Sequence, residues 1–169
     1  IIITNDRELA ERAKHLSNTA KIDHPWAYVH DEIGWNDRLP NINSALGVSQ
    51  MEVLHERINR KRKLFEAYSK SFDNQDGVEL LKNSNNSKSN HWLVSIRLKG
   101  NKTKSEFKNL RDSILNFAHK NNLLLRPSWD LLHTLKMYKN CPSGNLKNAE
   151  EQSVRIINLP SSPQILKHE

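Results

Sequence analysis

Apolar positions change their spacing several times along the chain, and each change marks an element. The unbroken triplet Ile1-Ile2-Ile3 reads as the end of a buried strand, one with no preceding residues to complete it. Asp6 then starts a helix that runs to about Ser17 and carries Leu9, Ala13 and Leu16 on one face. Residues 18–39 show no period and are rich in His, Pro and Trp. Loops of that length are usually functional or disordered, and Trp26, Tyr28 and Trp35 argue against disorder. From Pro40 to about Phe72 the period is helical again: Leu46, Met51, Leu54, Ile58, Phe65, Tyr68 and Phe72 recur mostly at three- and four-residue steps. This predicts one long helix, and Ser44, Ala45 and Gly47 in its first turns are small enough to let another backbone come close.

Beyond that helix the alternation shortens. Residues 78–81 predict a short strand and residues 83–90 a polar loop. Residues 91–98 predict a strand with Trp92, Val94, Ile96 and Leu98 on one face. A helix over 105–120 carries Phe107, Leu110, Ile114, Leu115 and Phe117, and residues 123–125 predict a further strand. A turn about Cys141-Pro142-Ser143-Gly144 leads into a last helix ending near Arg155, and residues 156–159 close the sheet. The expected division is residues 1–39, a linking helix over 40–72, and a small α+β domain over 73–169 with a short, mainly antiparallel sheet.

Composition narrows the function classes. A chain of 169 residues suffices for one good core, or for one domain and part of another. At 36% hydrophobic, with a mean hydropathy of −0.75, it is polar, which fits much exposed surface or a face meant for a partner. No apolar run approaches the roughly 20 residues of a membrane span, and no signal segment is evident, so a cytoplasmic location is expected. The single cysteine, Cys141, excludes an internal disulfide, and no set of His, Cys and carboxylates has metal spacing. The net charge of +7 includes one dense run over residues 57–63. That run lies in an amphipathic helix with no aromatic among its basic residues, so a solvated face is favoured over a nucleic-acid module.

Candidate chemistry concentrates in the segment from Gly34 to Gly47. Asn36 brings an amide donor and Arg38 a planar fork of donors suited to phosphate. Pro40 sets the start of a helix that Asn41 or Asn43 can cap, and a helix start adds free N–H groups and a partial positive charge. The result is either an anion-binding corner, with phosphate the natural anion, or an ordinary capped helix with a surface arginine.

The pattern Gly-x-Asn-x-Arg-x-Pro-Asn-x-Asn-x-Ala-Leu-Gly over 34–47, followed by Gln50-Met51-Glu52, resembles the signature of the DegT/StrS-type sugar-nucleotide aminotransferases, which are pyridoxal-phosphate enzymes. Ile3-Thr4-Asn5-Asp6 with Leu9-Ala10 and Arg12-Ala13 is similar to the strand-to-helix step at the end of that family's large domain. Arg126-Pro127-Ser128-Trp129, Leu132-His133, Met137-Tyr138 and Ile157-Asn158-Leu159-Pro160-Ser161-Ser162 resemble its small-domain landmarks, closest to the branch that aminates 4-keto UDP-sugars on the way to bacillosamine or legionaminic acid.

The resemblance implies an α/β fold of the pyridoxal-phosphate aminotransferase type. Residues 1–39 would then be the end of its cofactor-binding large domain, 40–72 the interdomain helix and 73–169 the small domain. It implies an amino group passed from a donor, usually glutamate, to a keto-sugar nucleotide in cell-surface glycan synthesis, by a homodimer that shares residues across its interface. Asn36 matches the asparagine that reaches the cofactor phosphate of the neighbouring subunit, and Arg38 the arginine near the substrate pyrophosphate. His133 matches a histidine facing the nucleotide-sugar pocket, while His30 either touches substrate or orders its loop. Plainer roles stay open: a turn residue for Asn36, an ion pair to Asp31, Glu32 or Asp37 for Arg38, a satisfied core histidine for His133, and packing for Trp129.

The family's Schiff-base lysine cannot be located in this chain. Lys14 and Lys21 lie on the wrong side of the strand, so the chain alone is not expected to transaminate. The ending resembles a family terminus and the start looks cut. An inactive partner contributing Asn36 and Arg38 in trans is the alternative reading, and a basic nucleic-acid module the remote one.

Overall fold

The structure, a computed structural model, describes residues 2–166. The chain divides into two compact units, Ile1–Glu52 and Val53–Glu169.

The first unit begins with helix α1, Arg7–Ser17. Asp6 caps it by accepting the Leu9 N–H at 3.0 Å, and Glu8 near its start with Lys14 and His15 in its last turn complement the helix dipole. The buried strand expected over residues 1–3 is not what forms. Ile2 and Ile3 are exposed coil, since no described strand lies alongside to pair with them, and Ile1 lies outside the described residues.

The segment after α1 is more ordered than its composition predicts. Strands β1 (Lys21–Ile22) and β2 (Val29–His30) pair antiparallel, and the chain then returns against the end of α1. Trp35 N–H donates to Leu16 O at 2.8 Å, Thr19 N–H to Trp35 O at 2.9 Å and Asp37 N–H to Ser17 O at 3.0 Å. Gly34 is where the return passes: a β-carbon there would sit 2.4 Å from the Ala20 nitrogen, so no side chain fits without opening the loop. Thr19 and Ala20 turn the chain with φ of 64° and 50°.

Helix α2 spans Asn41–Glu52, and α3 spans Leu54–Phe72. The single helix expected over 40–72 is therefore two, separated by Val53 at φ −103° and ψ 4°, and the unit boundary falls at the same place. Apolar spacing continues through the break and hides it. The local sequence Gly47-Val48-Ser49 and the β-branched Val53 supply the low helix propensity that permits it.

The second unit is built on a four-stranded antiparallel sheet in the order β3-β4-β6-β5, from Val78–Leu80, Val94–Leu98, Ile156–Leu159 and Arg126–Pro127. Helix α4 (Lys104–Lys120) starts in a capping box between Thr103 and Glu106, and α5 (Lys147–Ser153) is short. One-turn 3-10 helices cover Leu132–Thr134 and Lys136–Tyr138. Val94, Ile96 and Leu98 alternate into the core with Leu80, Phe107, Ile157 and Leu159, and Phe65, Tyr68 and Phe72 of α3 pack against them.

Three expectations for this unit are corrected. Trp92 does not join the strand face but stands 65% exposed, because His91 adopts φ 51° and turns the chain just before β4. Phe117 is also exposed: the buried stripe of α4 passes from Phe107 to Ala118, eleven positions on, and position 117 falls off it. The strand expected at 123–125 forms at Arg126–Pro127 instead. Asn122 adopts φ 60°, and the Leu123 and Leu125 N–H groups are spent on Ala118 O and Leu123 O instead of on a ladder.

The basic run of α3 is not uniformly solvated either. Lys61 turns inward, and its Nζ donates to the carbonyls of His91 (3.2 Å), Trp92 (3.1 Å) and Ser161 (2.8 Å). Desolvation holds this lysine below its ordinary value. One turn pair further along, Tyr68 donates its hydroxyl to Pro160 O at 2.9 Å. Lys61→Met should cost about 2–3 kcal/mol in urea denaturation, because a charged donor is lost from part-buried carbonyls. Lys63→Met, on the exposed face of the same helix, should cost less than about 0.5 kcal/mol.

Candidate functional site

Three of the four residues singled out from sequence, His30, Asn36 and Arg38, are carried by the return loop of the first unit. His30 sits on β2, and its Nδ1–H donates to Thr19 O at 2.7 Å, which fixes the ring and leaves Nε2 as the free nitrogen. Asn36 bridges to Asn18 through its backbone, leaving its exposed amide without an intramolecular partner among the described residues. Arg38 is likewise exposed and forms no ion pair among the described residues. Of its three candidate partners, Asp31 and Glu32 are engaged elsewhere, and the adjacent Asp37 is exposed and forms no ion pair among the described residues.

Asp31 and Glu32 are engaged by α1. His15 Nε2 lies 2.7 Å from Asp31 Oδ1, and the Arg12 guanidinium meets Glu32 through two bonds, Nη1 to Oε1 and Nη2 to Oε2 (2.6 Å). The hydrogen bond from His15 holds the Asp31 carboxyl below its ordinary value, and that from Arg12 does the same for Glu32. His15, Asp31 and Glu32 offer ligand atoms within 4.8 Å of one another, but the positive charge set against Glu32 is already the Arg12 guanidinium. Asp31 therefore orders the loop. Sequence gave one hint of this clamp, since Arg12 and His15 are three residues apart on one helix face. Their partners lie 20 and 16 residues away, and only the fold reveals them.

The first unit thus presents an amide, a guanidinium and the N-terminus of α2 at Asn41, where the first N–H groups have no helical acceptor. A phosphate group fits this donor set, with neutral N–H donors to orient it, a permanent cation to balance it and the carboxylates of Asp31 and Glu32 already paired, while the exposed Asp37 lies between the two donors in sequence.

His133, the fourth residue, belongs to the second unit, on the 3-10 helix Leu132–Thr134. It is no core histidine: its side chain is 31% exposed, with Nε2 3.8 Å from Glu150 Oε1. It lines a 460 Å³ cavity with Leu131, Tyr138, Cys141 and Leu146. Lys104 also meets Glu150, at 2.6 Å, and this bond holds the Glu150 carboxyl below its ordinary value, with a further contribution from His133. Trp129 is not core packing either, being 68% exposed.

The run Asn158 to Ser161 turns out to be structural. Asn158 accepts from Ser95 Oγ (2.7 Å) and donates to Pro127 O (3.0 Å), tying β4, β6 and β5, and Ser161 Oγ donates to Trp92 O (2.7 Å).

The family model for DegT/DnrJ/EryC1/StrS aminotransferases matches residues 1–169. The chain belongs to this family. It is 31% identical over 166 residues to the GDP-perosamine synthase of Escherichia coli O157:H7, covering 98% of this chain and 42% of that one. Among solved structures it matches Helicobacter pylori PseC, an aminotransferase involved in pseudoaminic acid biosynthesis, with a TM-score of 0.84 and 23% identity over 97% of this chain and 43% of that one. It also matches Streptococcus pneumoniae Spr1654, solved in its PLP form, with a TM-score of 0.80 and 18% identity over 97% of this chain and 41% of that one. The chain thus spans about two fifths of the length of its relatives, and its fold is that of part of a sugar aminotransferase. No helix among the described residues is long and apolar enough to cross a membrane.

The Asp31 and Glu32 shifts fix the sign of a pH effect. Carboxyls whose native pKa lies below the ordinary 3.8 and 4.5 stabilise the fold fully above those values and lose that contribution as pH falls through the lowered native ones. The amide resonances of Trp35 and Asp37 should hold their positions from neutrality down to about pH 4 and move below it. Glu32→Gln should move them already at neutral pH, and Glu11→Gln, which removes an exposed i,i+4 pair, should not.

Proposed function

We propose that this chain is part of a pyridoxal-phosphate-dependent transaminase that passes an amino group from glutamate to a 4-keto nucleotide sugar, UDP-linked, for cell-surface glycan synthesis in the cytoplasm. The observation that carries this reading is the corner of unpaired donors, Asn36 and Arg38, beside the start of α2 in a chain of this family. The naming of its relatives for a GDP-sugar product and for pseudoaminic acid biosynthesis supports a nucleotide sugar as the class of acceptor.

Pyridoxal phosphate, when bound, supplies the electron sink that lets a proton leave the amine-bearing carbon and carries nitrogen between donor and acceptor. The residues of this chain hold and orient. Asn36 would donate its amide N–H to the cofactor phosphate of the neighbouring subunit, and Arg38 would meet the incoming pyrophosphate, again across the dimer, with a charge that no pH change removes. His30, its Nδ1 held by Thr19, offers Nε2 to a substrate oxygen, and His133 offers a donor to a phosphate or sugar hydroxyl. The working form is a dimer with a second copy. Ile42, Leu46 and Met51 of α2 are exposed, and Ser44, Ala45 and Gly47 between them leave room for close approach.

The test is amino transfer from glutamate to a UDP-4-keto sugar with pyridoxal phosphate added. It is run on this chain and on the protein encoded when the reading frame is followed upstream of Ile1. Turnover is expected from the longer protein, and none from either would overturn the proposal. In the active form, Arg38→Ala should raise KM for the nucleotide sugar about ten- to a hundredfold with kcat little changed, the signature of lost uniform binding.

A further inference from the structure

His91 is a titratable side chain outside the site described above, and it is 8% exposed. Its imidazole stacks on Phe65 of α3, with ring centroids 4.2 Å apart and an interplanar angle of 24°. Neither ring nitrogen hydrogen-bonds to another described residue. The backbone is held more firmly. The His91 N–H donates to Ser89 Oγ at 2.9 Å, its carbonyl accepts from Lys61 Nζ at 3.2 Å, and its φ is 51°. Residues with a β-carbon seldom adopt that angle, and a turn that needed the angle alone would be served by glycine. Lys61 also ties the turn to the chain beyond β6, since its Nζ donates to Trp92 O and Ser161 O, and Ser161 Oγ donates to Trp92 O. His91 thus lies at the end of the sheet where β4 begins and β6 ends, with Val94 paired to Leu159 there.

Charge around the ring has one prevailing sign. Helix α3 brings Arg62 and Lys61, and Glu66 is the acid that offsets them. The loop over residues 83–90 carries only Lys88, which is exposed, and residues 160–164 carry no charge. Burial holds the imidazole below its ordinary 6.5, and the Arg62 and Lys61 cations lower it further against Glu66. A protonated ring would add a third cation beside those two, and a second N–H with no acceptor among the described residues. The neutral ring is therefore part of what keeps the strained turn shut.

We propose that His91 is an acid-operated latch. Neutral, it closes the turn into β4 and the segment leaving β6 against α3; protonated, it lifts off Phe65 and lets both segments open. Above 6.5 the closed turn has its full stability. As pH falls below 6.5 an opened ring takes up a proton that the closed one refuses, and the loss is complete once pH lies below the lowered value of the closed form. The strained φ relaxes in the same step, so the two effects act together. The opening is local, because Ile96, Leu98 and Ile157 carry the core further along the sheet. The latch rests on the second unit alone and holds whether or not the transaminase reading does.

The experiment is a titration of the full ¹⁵N-labelled chain by NMR from about pH 7.5 to about pH 5, above the range in which Asp31 and Glu32 titrate. It follows the His91 ring, the Trp92 indole N–H and the Ser161 and Ile157 amides. Trp92 and Ser161 should move in one step, at the midpoint of the His91 ring and below 6.5, while Ile157 stays in place. Exchange of the Trp92 and Ser161 amide protons, corrected for its intrinsic pH dependence, should rise about tenfold or more across the step. Arg62→Gln should move the midpoint to higher pH and Glu66→Gln to lower pH, opposite shifts that a loss of packing cannot give. His91→Asn, which tolerates the left-handed angle, should abolish the step. A His91 ring that titrates without moving Trp92 and Ser161 overturns the proposal. So does a step that survives His91→Asn, one that ignores both charge variants, or one in which Ile157 moves as well, which would make it general acid unfolding.

Discussion

Strand β6 is the last to be made and the one that both of its neighbours need. It enters between β4 and β5, pairing Ile96 with Ile157 on one side and Pro127 with Ile157 on the other, so that Ile157 is fully buried. Without it β5 has no partner and β4 loses one edge. The sheet is therefore a nonlocal structure: β4 must wait for a strand some sixty residues later, and the loop-closure cost is recovered only when Ile157 and Leu159 reach the core. The polar ties of Asn158 work at the same point, since a side chain that bonds Ser95 on one flank and Pro127 O on the other fixes register as well as adding stability.

Helix α3 closes this arrangement from one side with two kinds of contact. Leu64, Phe65, Tyr68 and Phe72 supply apolar area, which is non-directional. Lys61 and the Tyr68 hydroxyl supply direction, reaching the carbonyls of the segments that enter β4 and leave β6. An ammonium surrounded by three carbonyls offsets part of its desolvation and at the same time satisfies acceptors that no strand is placed to serve. The same ion holds the strained turn at His91, so core closure and presentation of Trp92 rest on one side chain.

How much of this could be read in advance follows from the range of each interaction. Local periods were legible: the Asp6 start of α1, the Val94-Ile96-Leu98 alternation, the Phe107-Ile114-Leu115 spacing of α4, and β6 itself. Features whose cause is a single backbone angle were not. The apolar spacing runs on through Val53, and the leucines at 123–125 look like a strand until Asn122 turns the chain and their donors are spent locally. Interactions across sequence were hidden as well, Lys61 inside a basic run that otherwise reads as solvated face, and Glu32 twenty residues from Arg12. Among the candidate site residues, His30, Asn36, Arg38 and His133 stood out through their motifs. What they lacked was a setting, which the Arg12–Glu32 and His15–Asp31 contacts supply for the first three.

That setting shows what the proposed corner leaves unpaired. In a basic chain the simplest fate of Arg38 is an ion pair with a nearby carboxylate, and Asp31, Glu32 and the adjacent Asp37 are the near ones in sequence. The loop commits Asp31 and Glu32 to α1, so two of the three acids that could have neutralised Arg38 serve to hold its scaffold. His30 follows the same rule, with one nitrogen spent on Thr19 O and the other left over. Gly34 makes the commitment geometrically possible by letting the return pass within a β-carbon's reach of Ala20. A site for an anion needs donors that the protein does not itself satisfy, and such donors are tolerable only where water can reach them until the ligand arrives. The exposure of Asn36 and Arg38 meets that condition for the proposed site.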